Sequence, residues 1–265
     1  MGAKTSIGWT DHTFNLWWGC TKDGPECDNC YAETWAKRTG HPLWGHNAPR
    51  RFFGDKHWAE IAKWDRAAKR DGVRRRVFVM SMGDIGERLP GEAGEAMNAA
   101  RSRFWPIAES CSNLDFQLLT KRPQNIPGLV PESWLANWPA HVWVGTTAGT
   151  QRGLERRGKY LARIPAPIKF LSCEPMLELL SIPTAWFAWM RWVIIGGESG
   201  GKARPFDVIA AEVLHDQCVK ARCSVFTKQF GSRPQWNTER LVLLHKKGED
   251  PSEWPHGPWL QEFPA

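Results

Sequence analysis

The sequence predicts an α/β protein built on a (β/α) barrel, complete or partial, of the TIM type. Between residues 76 and 229, short apolar runs alternate with segments of helical periodicity, a pattern typical of parallel strands covered by helices. The strand candidates are apolar almost throughout, which indicates burial on both faces. A polar residue follows each of six successive strand candidates, as at the catalytic rim of barrel enzymes. An open doubly wound sheet is the alternative.

The individual elements follow from hydrophobic spacing. Trp58, Ile61 and Trp64 recur at helical intervals, whereas the run Arg76-Val-Phe-Val-Met80 is apolar and β-branched. The strand candidates are residues 14–19, 76–80, 115–119, 141–144, 168–171, 191–195 and 223–226. The helix candidates are residues 31–38, 57–70, 92–110, 131–137, 151–163, 184–190 and 206–221. Residues 40–54 are rich in Gly, Pro and His and predict an excursion without regular structure.

One barrel domain with a C-terminal extension is expected within the 265 residues. Residues 1–231 form the barrel, and residues 232–265 form a C-terminal extension packed on it. No strand or long helix is expected from residue 232 onwards. Trp236, Trp254 and Trp259 are the side chains expected to hold this extension in place.

Composition limits the functional classes. The formal charge is +7 with a pI of about 9.1, and 17 tryptophans are present. A basic chain with many aromatic rings is suited to a nucleic acid or another polyanion, although a solvated positive face and core packing explain the same composition. No apolar stretch reaches the ~18 residues that a membrane span requires, and no targeting segment is recognisable. We therefore expect a cytoplasmic protein that does not act in a membrane.

Three of the seven cysteines, Cys20, Cys27 and Cys30, lie close together with the spacing C-x6-C-x2-C. In a reducing compartment such a group is more often a metal or redox site than a disulfide framework. Zinc is one candidate, since C-x2-C is half of a common structural site, and a histidine would then complete the ligand set. The histidines available for this are His12, His41 and His46.

An iron–sulfur cluster explains three cysteines better. A [4Fe-4S] cluster held by three thiolates leaves one iron open to an exogenous ligand. Radical S-adenosylmethionine (SAM) chemistry uses that open position, where the amino and carboxylate groups of the methionine part bind the iron. Electron transfer then cleaves the sulfonium and produces a deoxyadenosyl radical.

Several further segments accompany the cysteines and carry a family resemblance. They are Thr5-Ser-Ile-Gly-Trp9, Asn15-Leu-Trp-Trp-Gly-Cys20, Cys27-Asp-Asn-Cys30, Val79-Met-Ser-Met-Gly-Asp84, Leu118-Leu-Thr-Lys-Arg-Pro123, Ser172-Cys-Glu-Pro-Met176 and Ile195-Gly-Gly-Glu-Ser-Gly200. With them the chain resembles a phage- and prophage-associated family of radical-SAM-like proteins that share the C-x6-C-x2-C motif. The matching segments span about residues 5–230.

The resemblance implies a barrel of the radical-SAM type, a [4Fe-4S] cluster on the three cysteines, and SAM as the second cofactor. In radical-SAM enzymes a Gly-Gly-Glu-like turn after the second strand receives the SAM amino group. Ser81, Gly83 and Asp84 occupy that place, with Asp84 as the acid. The usual motif has three residues between the first two cysteines and an aromatic residue before the last. Here six residues separate the first two, and Asn29 precedes the last.

Later strand ends supply the remaining site candidates. Thr146, Glu174 and Glu198 are expected to bind a cofactor, and Lys228 is the candidate catalytic side chain, although ordinary buried salt bridges explain the charged residues equally well. Gly196 and Gly197 begin a glycine-rich turn whose N–H groups suit a phosphate or the SAM carboxylate; a tight turn without a ligand is the alternative. The turn is neither a P-loop nor a dinucleotide fingerprint.

The expected function is that of a radical-SAM enzyme. It would abstract hydrogen from an unknown substrate, for which a nucleic acid or nucleotide is favoured, and would need an electron donor for the cluster. One alternative is a zinc-stabilised nucleic-acid-binding protein without catalysis. Another is a catalytically silent barrel that acts with a partner protein.

Overall fold

The computed structural model describes residues 5–255, 257 and 259–264. These residues divide into two compact units. The first unit comprises the described residues of Met1–Lys22, Tyr31–Gly145 and Arg163–Pro167. The second comprises those of Asp23–Cys30, Thr146–Ala162 and Ile168–Ala265. Cys20 therefore belongs to the first unit, whereas Cys27 and Cys30 belong to the second.

The first unit contains most of the N-terminal half of the alternation. Its elements are β1 (His12–Phe14), β2 (Trp17–Trp18), α1 (Tyr31–Arg38), β3 (Arg51–Phe52), α2 (Asp55–Asp71), β4 (Arg75–Val79), α3 (Gly91–Ser110), β5 (Leu114–Thr120) and α4 (Glu132–Ala136). A 3₁₀-helix lies at Pro123–Gly128. Strand β6 (Val142–Thr147) has its first residues in this unit and its last two in the second.

The second unit continues the alternation. Its elements are α5 (Gln151–Leu161), β7 (Lys169–Cys173), β8 (Trp192–Gly196), β9 (Phe206–Asp207), α6 (Val208–Lys220), β10 (Ser224–Gln229), β11 (Pro234–Trp236) and β12 (Glu239–Arg240). Short 3₁₀-helices lie at Pro25–Cys27, Thr184–Ala188 and Pro251–Glu253.

The main sheet has seven strands in the order β1-β4-β5-β6-β7-β8-β10. The pairs β1/β4, β4/β5, β7/β8 and β8/β10 are parallel. The predicted mixed α/β fold with a parallel sheet is therefore confirmed, and the strand order is compatible with a partial barrel. Among the described residues, no helix is long and apolar enough to cross a membrane.

Helix α2 illustrates how the hydrophobic spacing produces the predicted elements. Its buried face is formed by Trp58, Ile61, Trp64 and Ala68, at intervals of three and four residues. The helix ends at Gly72, whose φ of 65° lies in the left-handed region that glycine adopts without strain. The predicted helix at residues 57–70 is thus confirmed, with its bounds extended by one or two residues.

The first strand was predicted wrongly at residues 14–19. The chain pairs with β4 only through His12–Phe14, and Trp17–Trp18 pairs instead with β3 in antiparallel orientation. The reason lies in Asn15, whose amide bonds to the loop after β4 and interrupts the strand: its Oδ1 accepts the N–H of Met82 at 2.7 Å.

Two other predictions need correction in the second unit. Residues 184–190 were expected to form an α-helix but form a 3₁₀-helix at Thr184–Ala188, in which no side chain is buried to stabilise a longer element. The helix expected from residue 206 begins at Val208, because Phe206–Asp207 is the short strand β9. The side chain of Asp207 then caps the helix by accepting the N–H groups of Ile209 and Ala210.

The C-terminal residues contain strands that the sequence did not predict. Strand β11 pairs in parallel with β9 and in antiparallel orientation with β12. Trp254 and Trp259 pack on Phe230 with ring centroids 4.8 Å and 5.0 Å away, as expected of residues that hold the extension. Trp236 lies within β11. Short strands of this kind lack a hydrophobic period and therefore leave no pattern in the sequence.

Replacement of Gly158 by alanine tests the packing of helix α5. A Cβ at this position would overlap the indole ring of Trp186. Gly→Ala inside a helix normally stabilises by about 1 kcal/mol. Here we expect the free energy of unfolding, measured with urea, to fall by about 1–3 kcal/mol because the core is overpacked.

Gly201→Ala is the control, since Gly201 is exposed in a turn of the same unit and has no atom within 4 Å of an added Cβ. It should change the unfolding free energy by no more than about 0.5 kcal/mol. Equal effects of the two substitutions would contradict the packing argument.

Candidate functional site

Cys20 follows β2 and lies beside an arginine in the first unit. Its sulfur is 4.0 Å from Nη1 of Arg122 and 3.3 Å from the carbonyl oxygen of Thr21. Burial raises the pKa of the Cys20 thiol, and the nearby carboxylates of Asp84 and Glu87 raise it further. A metal bound here would have to displace the thiol proton, since only the thiolate is a ligand.

Asp84 organises the loop after β4. One carboxylate oxygen accepts the N–H of Gly86 at 2.8 Å and the hydroxyl of Thr120 at 2.5 Å. The other accepts the N–H of Lys121 at 3.0 Å and Nη1 of Arg122 at 2.7 Å. Both carboxylate oxygens of Asp84 therefore already accept hydrogen bonds from the chain. The SAM amino group, if bound here as predicted, would have to bind the same oxygens as these donors.

The turn that contains Ser81 and Gly83 is fixed from two sides. The Asn15 side chain donates to the Ser81 hydroxyl at 3.1 Å, and the Tyr31 hydroxyl donates to the Ser81 carbonyl at 2.7 Å. A Cβ on Gly83 would overlap the methyl group of Met80 and lie 3.2 Å from the carbonyl oxygen of Gly19. The predicted glycine thus serves close packing of the turn.

A buried ion pair supports the residue next to Cys20. Arg50 and Glu87 are paired at 2.9 Å, with side chains that are 0% and 1% exposed. Glu87 accepts the N–H of Thr21 at 2.7 Å, and Arg50 donates to the Thr21 hydroxyl at 3.1 Å. Arg122 also donates to the Thr21 carbonyl, at 2.6 Å. The backbone beside the first cysteine is consequently well ordered by charge-assisted bonds.

In the second unit, the segment Asp23–Cys30 is held by Arg157 of α5. Arg157 pairs with Glu26 at 2.7 Å and with Asp23 at 3.1 Å, and it also donates to the carbonyl of Thr147. Burial opposes ionisation of Glu26, but the hydrogen bonds and charge of Arg157 outweigh it and lower the pKa of this carboxyl. The N–H of Asp23 faces the sulfur of Cys27 at 3.4 Å.

Glu198 holds the other half of the same segment. Its carboxylate accepts Nδ2 of Asn29 at 3.0 Å and pairs with Arg204 at 2.5 Å. Arg204 in turn donates to the Pro25 carbonyl at 2.9 Å and lies 3.4 Å from Asp28. Burial opposes ionisation of Glu198, but the Arg204 hydrogen bonds prevail and lower its pKa. Glu198, which the sequence predicted as an acid at a strand end, therefore helps to hold the C-x2-C segment in place.

The glycine-rich turn after β8 is closely packed. The N–H of Gly197 donates to the carbonyl of Gln229, and that of Gly200 donates to the Ser232 hydroxyl. A Cβ on Gly197 would overlap the backbone of Phe230. These bonds favour the tight-turn interpretation, and anion binding by Gly196 and Gly197 stays a prediction.

Glu174 and Lys228 form a partly exposed ion pair. Glu174 directly follows β7, and Lys228 lies near the end of β10. Their charged atoms are 2.6 Å apart, and their side chains are 13% and 24% exposed, respectively. The Ser172 hydroxyl donates to Glu174 at 3.2 Å. Gly196, on the intervening strand β8, leaves room for Glu174, because an added Cβ would lie 3.3 Å from its Cγ. Thr146 is fully buried within β6.

The described residues contain no group of three or more His, Cys, Asp or Glu side chains arranged to hold a metal ion. The histidines proposed for zinc occupy separate surroundings. His12 stacks on Trp64, with ring centroids 4.5 Å apart, and Nε2 of His41 lies 2.8 Å from Arg51. His46 is exposed. Zinc binding by the cysteines also stays a prediction.

Residues 4–253 match the model of a protein family described as "Protein of unknown function (DUF5131)". The chain belongs to this family. Comparison with curated proteins found no match. Comparison with solved structures found none either.

The sequence did not identify the side chains that support the cysteines. Most of these are arginines that pair with distant carboxylates, namely Arg50, Arg122, Arg157 and Arg204. One signal was available for Arg157. The C-x6-C loop contains two acids, Asp23 and Glu26, and one basic residue, Lys22, so one acid lacks a local counter-charge, and the basic run at residues 152–159 was a source of one.

The variant Glu26→Gln tests the support of the cysteine segment. It removes the more buried of the two carboxylates that pair with Arg157 and leaves Asp23 as the other. We therefore expect the unfolding free energy at pH 7 to fall by about 1.5–3 kcal/mol in urea titrations, the cost of a hydrogen bond between charged groups. The lowered pKa means that Glu26 contributes stability above its ordinary pKa of 4.5. The difference between wild type and variant should therefore shrink as the pH falls below that value.

Glu155→Gln is the matched control, because Glu155 is an exposed carboxylate on α5 that accepts a hydrogen bond from Gln151. Its effect should stay within about 0.5 kcal/mol. A Glu26→Gln variant as stable as this control would show that the buried pair does not hold the segment.

Proposed function

We propose that this protein is a radical-SAM enzyme in which Cys20, Cys27 and Cys30 hold a [4Fe-4S] cluster. The observation that carries the proposal is the C-x6-C-x2-C motif, because three thiolates leave one iron of the cluster open for SAM. The ion pairs of Asp23, Glu26 and Asp28, which lie within the motif, support it, since they fix backbone between the cysteines that has little regular structure. The radical-SAM type of barrel is part of the same proposal.

The donor set suits a cluster of this kind. The Asp23 N–H faces the Cys27 sulfur, and the Arg122 guanidinium lies beside the Cys20 sulfur. Both contacts place positive or donor groups where thiolates would carry negative charge, and such hydrogen bonds tune bound clusters. When bound, the cluster supplies the electron for reductive cleavage of SAM. That electron has to come from a donor protein or a chemical reductant.

We assign the chemistry of the chain's own side chains to the Glu174–Lys228 pair. Asp84 and Glu198 are engaged in several internal bonds, whereas Glu174 and Lys228 chiefly neutralise each other and stay partly exposed. Lys228 can bind an anionic group or transfer a proton, and Glu174 positions its amine. Ser81, Gly83, Thr146, Gly196 and Gly197 complete the proposed cofactor contacts.

The proposed substrate is a nucleic acid or nucleotide in the cytoplasm. The net charge of +7 supports this class, because it favours encounter with phosphate-bearing partners. A zinc-stabilised binding protein and a silent barrel with a partner protein are the outcomes against which the proposal is tested.

Anaerobic reconstitution tests cluster binding. The wild-type protein should become brown and contain about four irons and four sulfides per chain. Cys20→Ala, Cys27→Ala and Cys30→Ala should each lose most of the iron. The controls Cys111→Ala and Cys218→Ala remove buried cysteines outside the motif and should retain it.

The reconstituted protein with SAM and dithionite should release deoxyadenosine, measured by chromatography. Iron binding without deoxyadenosine would favour the silent barrel. Colourless protein that contains a single zinc ion and does not respond to SAM would refute the proposal.

Lys228→Met tests the role of the exposed pair. Iron content should be unchanged, because Lys228 is not a ligand. Deoxyadenosine formation at limiting SAM should fall about 10- to 100-fold, because one charge-assisted hydrogen bond to an anionic group of SAM is lost. Lys228→Arg should recover part of the rate if charge is the main requirement. Lys202→Met, an exposed lysine in the same unit, is the control. A Lys228→Met rate equal to that of the control would remove Lys228 from the mechanism.

A further inference from the structure

A surface of exposed and half-buried aromatic and cationic side chains lies in the first unit, where α1 meets β2 and β3. We call it the aromatic surface, and it consists of Trp18, Tyr31, Trp35, His41, Arg51 and Phe53. Tyr31 is 55% exposed and Trp35 38% exposed, both large values for such rings. We propose that this surface binds single-stranded nucleic acid by stacking its bases.

Arg51 gives the surface a fixed, planar positive charge. Its guanidinium carbon lies 4.6 Å from the ring centroid of Trp18 and 5.7 Å from that of Phe53. Cross-strand pairing places Arg51 directly opposite Trp18, and Nη1 of Arg51 bonds to His41 at 2.8 Å. No carboxylate of the described residues forms a salt bridge with Arg51. An exposed guanidinium held in plane this way can stack on a base and attract a phosphate.

Helix α1 contributes two rings on one face. Tyr31 and Trp35 are four residues apart and therefore neighbours on the helix surface, while Ala32 and Ala36 form its buried side. The Tyr31 hydroxyl is fixed by its bond to Ser81 at 2.7 Å, and the Trp35 ring meets Trp18 edge to face at 5.1 Å. Both rings are thus ordered yet open to solvent, which lowers the entropic cost of stacking a ligand.

The surrounding charge selects nucleic acid over an apolar protein partner. Lys37 and Arg38 occupy the last turn of α1. The acidic residue of this helix, Glu33, is neutralised by Lys22 at 3.3 Å and by Lys37 at 2.6 Å. Lys22, Lys37, Arg38 and Arg51 outnumber this single acid, so the net charge here is positive. Exposed rings and positive charge are the two components of single-strand recognition, since bases stack on the rings and phosphates meet the cations.

The surface lies next to the cysteine motif in the sequence. Trp18 precedes Cys20 by two positions, and Tyr31 directly follows Cys30. The inference rests on the proposed function only for the statement that the bound nucleic acid is the substrate. Binding of the nucleic acid itself requires no cluster. The Tyr31 hydroxyl bonds to the carbonyl of Ser81, so a base stacked on Tyr31 would lie near one of the residues proposed to bind the cofactor.

Fluorescence anisotropy tests the inference with the full-length protein as purified. The probes are fluorescein-labelled DNA and RNA strands of mixed sequence, about 20 nucleotides long, which exceeds a single-strand site of ~4–16 nucleotides. Wild-type protein should bind both strands more tightly than a duplex of the same sequence. Trp35→Ala should weaken binding about 5- to 150-fold, and Trp35→Phe should recover part of the loss.

Arg51→Gln should weaken binding and reduce the slope of log K against log salt by about 0.7, the contribution of one phosphate contact on a single strand. Arg51→Lys keeps the positive charge but lacks the planar guanidinium. It should therefore show the wild-type salt dependence but bind more weakly than the wild type. Arg152→Gln removes an exposed arginine of α5 in the other unit and is the control. Thermal unfolding of each variant verifies that it is folded.

Three results would overturn the inference. They are an absence of wild-type binding at low salt, variants of the aromatic surface no weaker than Arg152→Gln, and a self-association of the wild type that Trp35→Ala abolishes. The last would identify the surface as a contact between copies of the chain. Because none of these measurements uses iron, binding that persists in protein unable to form a cluster would separate this inference from the proposed radical chemistry.

Discussion

The buried pair of Glu26 and Arg157 is the interaction on which the cysteine segment depends. Their side chains are 0% and 2% exposed, so neither charge has water to replace its partner. A buried ion pair adds little stability relative to apolar residues, but breaking one is costly, and it therefore enforces one arrangement. The six residues between Cys20 and Cys27 contain both Asp23 and Glu26, which bind the same guanidinium. The long spacing thus has a structural use, because it supplies the loop with its own anchor in helix α5.

The carboxylates after the strands differ in what they are free to do. Asp84 accepts four hydrogen bonds from the chain, and Glu198 is shared between Asn29 and Arg204. Both hold loops in place. Glu174 and Lys228 are less enclosed, and this contrast is the basis for assigning chemistry to them. Their position at strand ends alone would not have distinguished these four residues, three acids and one lysine.

The sequence predicted the elements whose signal is local and periodic. Residues 31–38 form α1 with the expected bounds, and the alternation of strands and helices is confirmed in the parallel sheet. The first strand failed because the side chain of Asn15 bonds to Met82, a contact between residues far apart in the chain. The arginines that support the site went unrecognised for the same reason, since a pair such as Arg157 and Glu26 leaves no periodic pattern. The three cysteines were recognised because they lie within eleven consecutive residues. The side chains around them come from distant parts of the sequence and were not recognised.

The last residues of the chain have a consequence for solubility. Strand β10 is an end strand of the seven-stranded order, and such strands offer unpaired N–H and C=O groups to other molecules. Here the Thr227 N–H donates to the carbonyl of Leu260, the Glu262 N–H donates to the carbonyl of Val225, and Gln261 bridges Phe226. The C-terminal segment therefore occupies part of the edge that another chain would use for intermolecular β-pairing. A protein shortened by these residues would expose a ready template for aggregation.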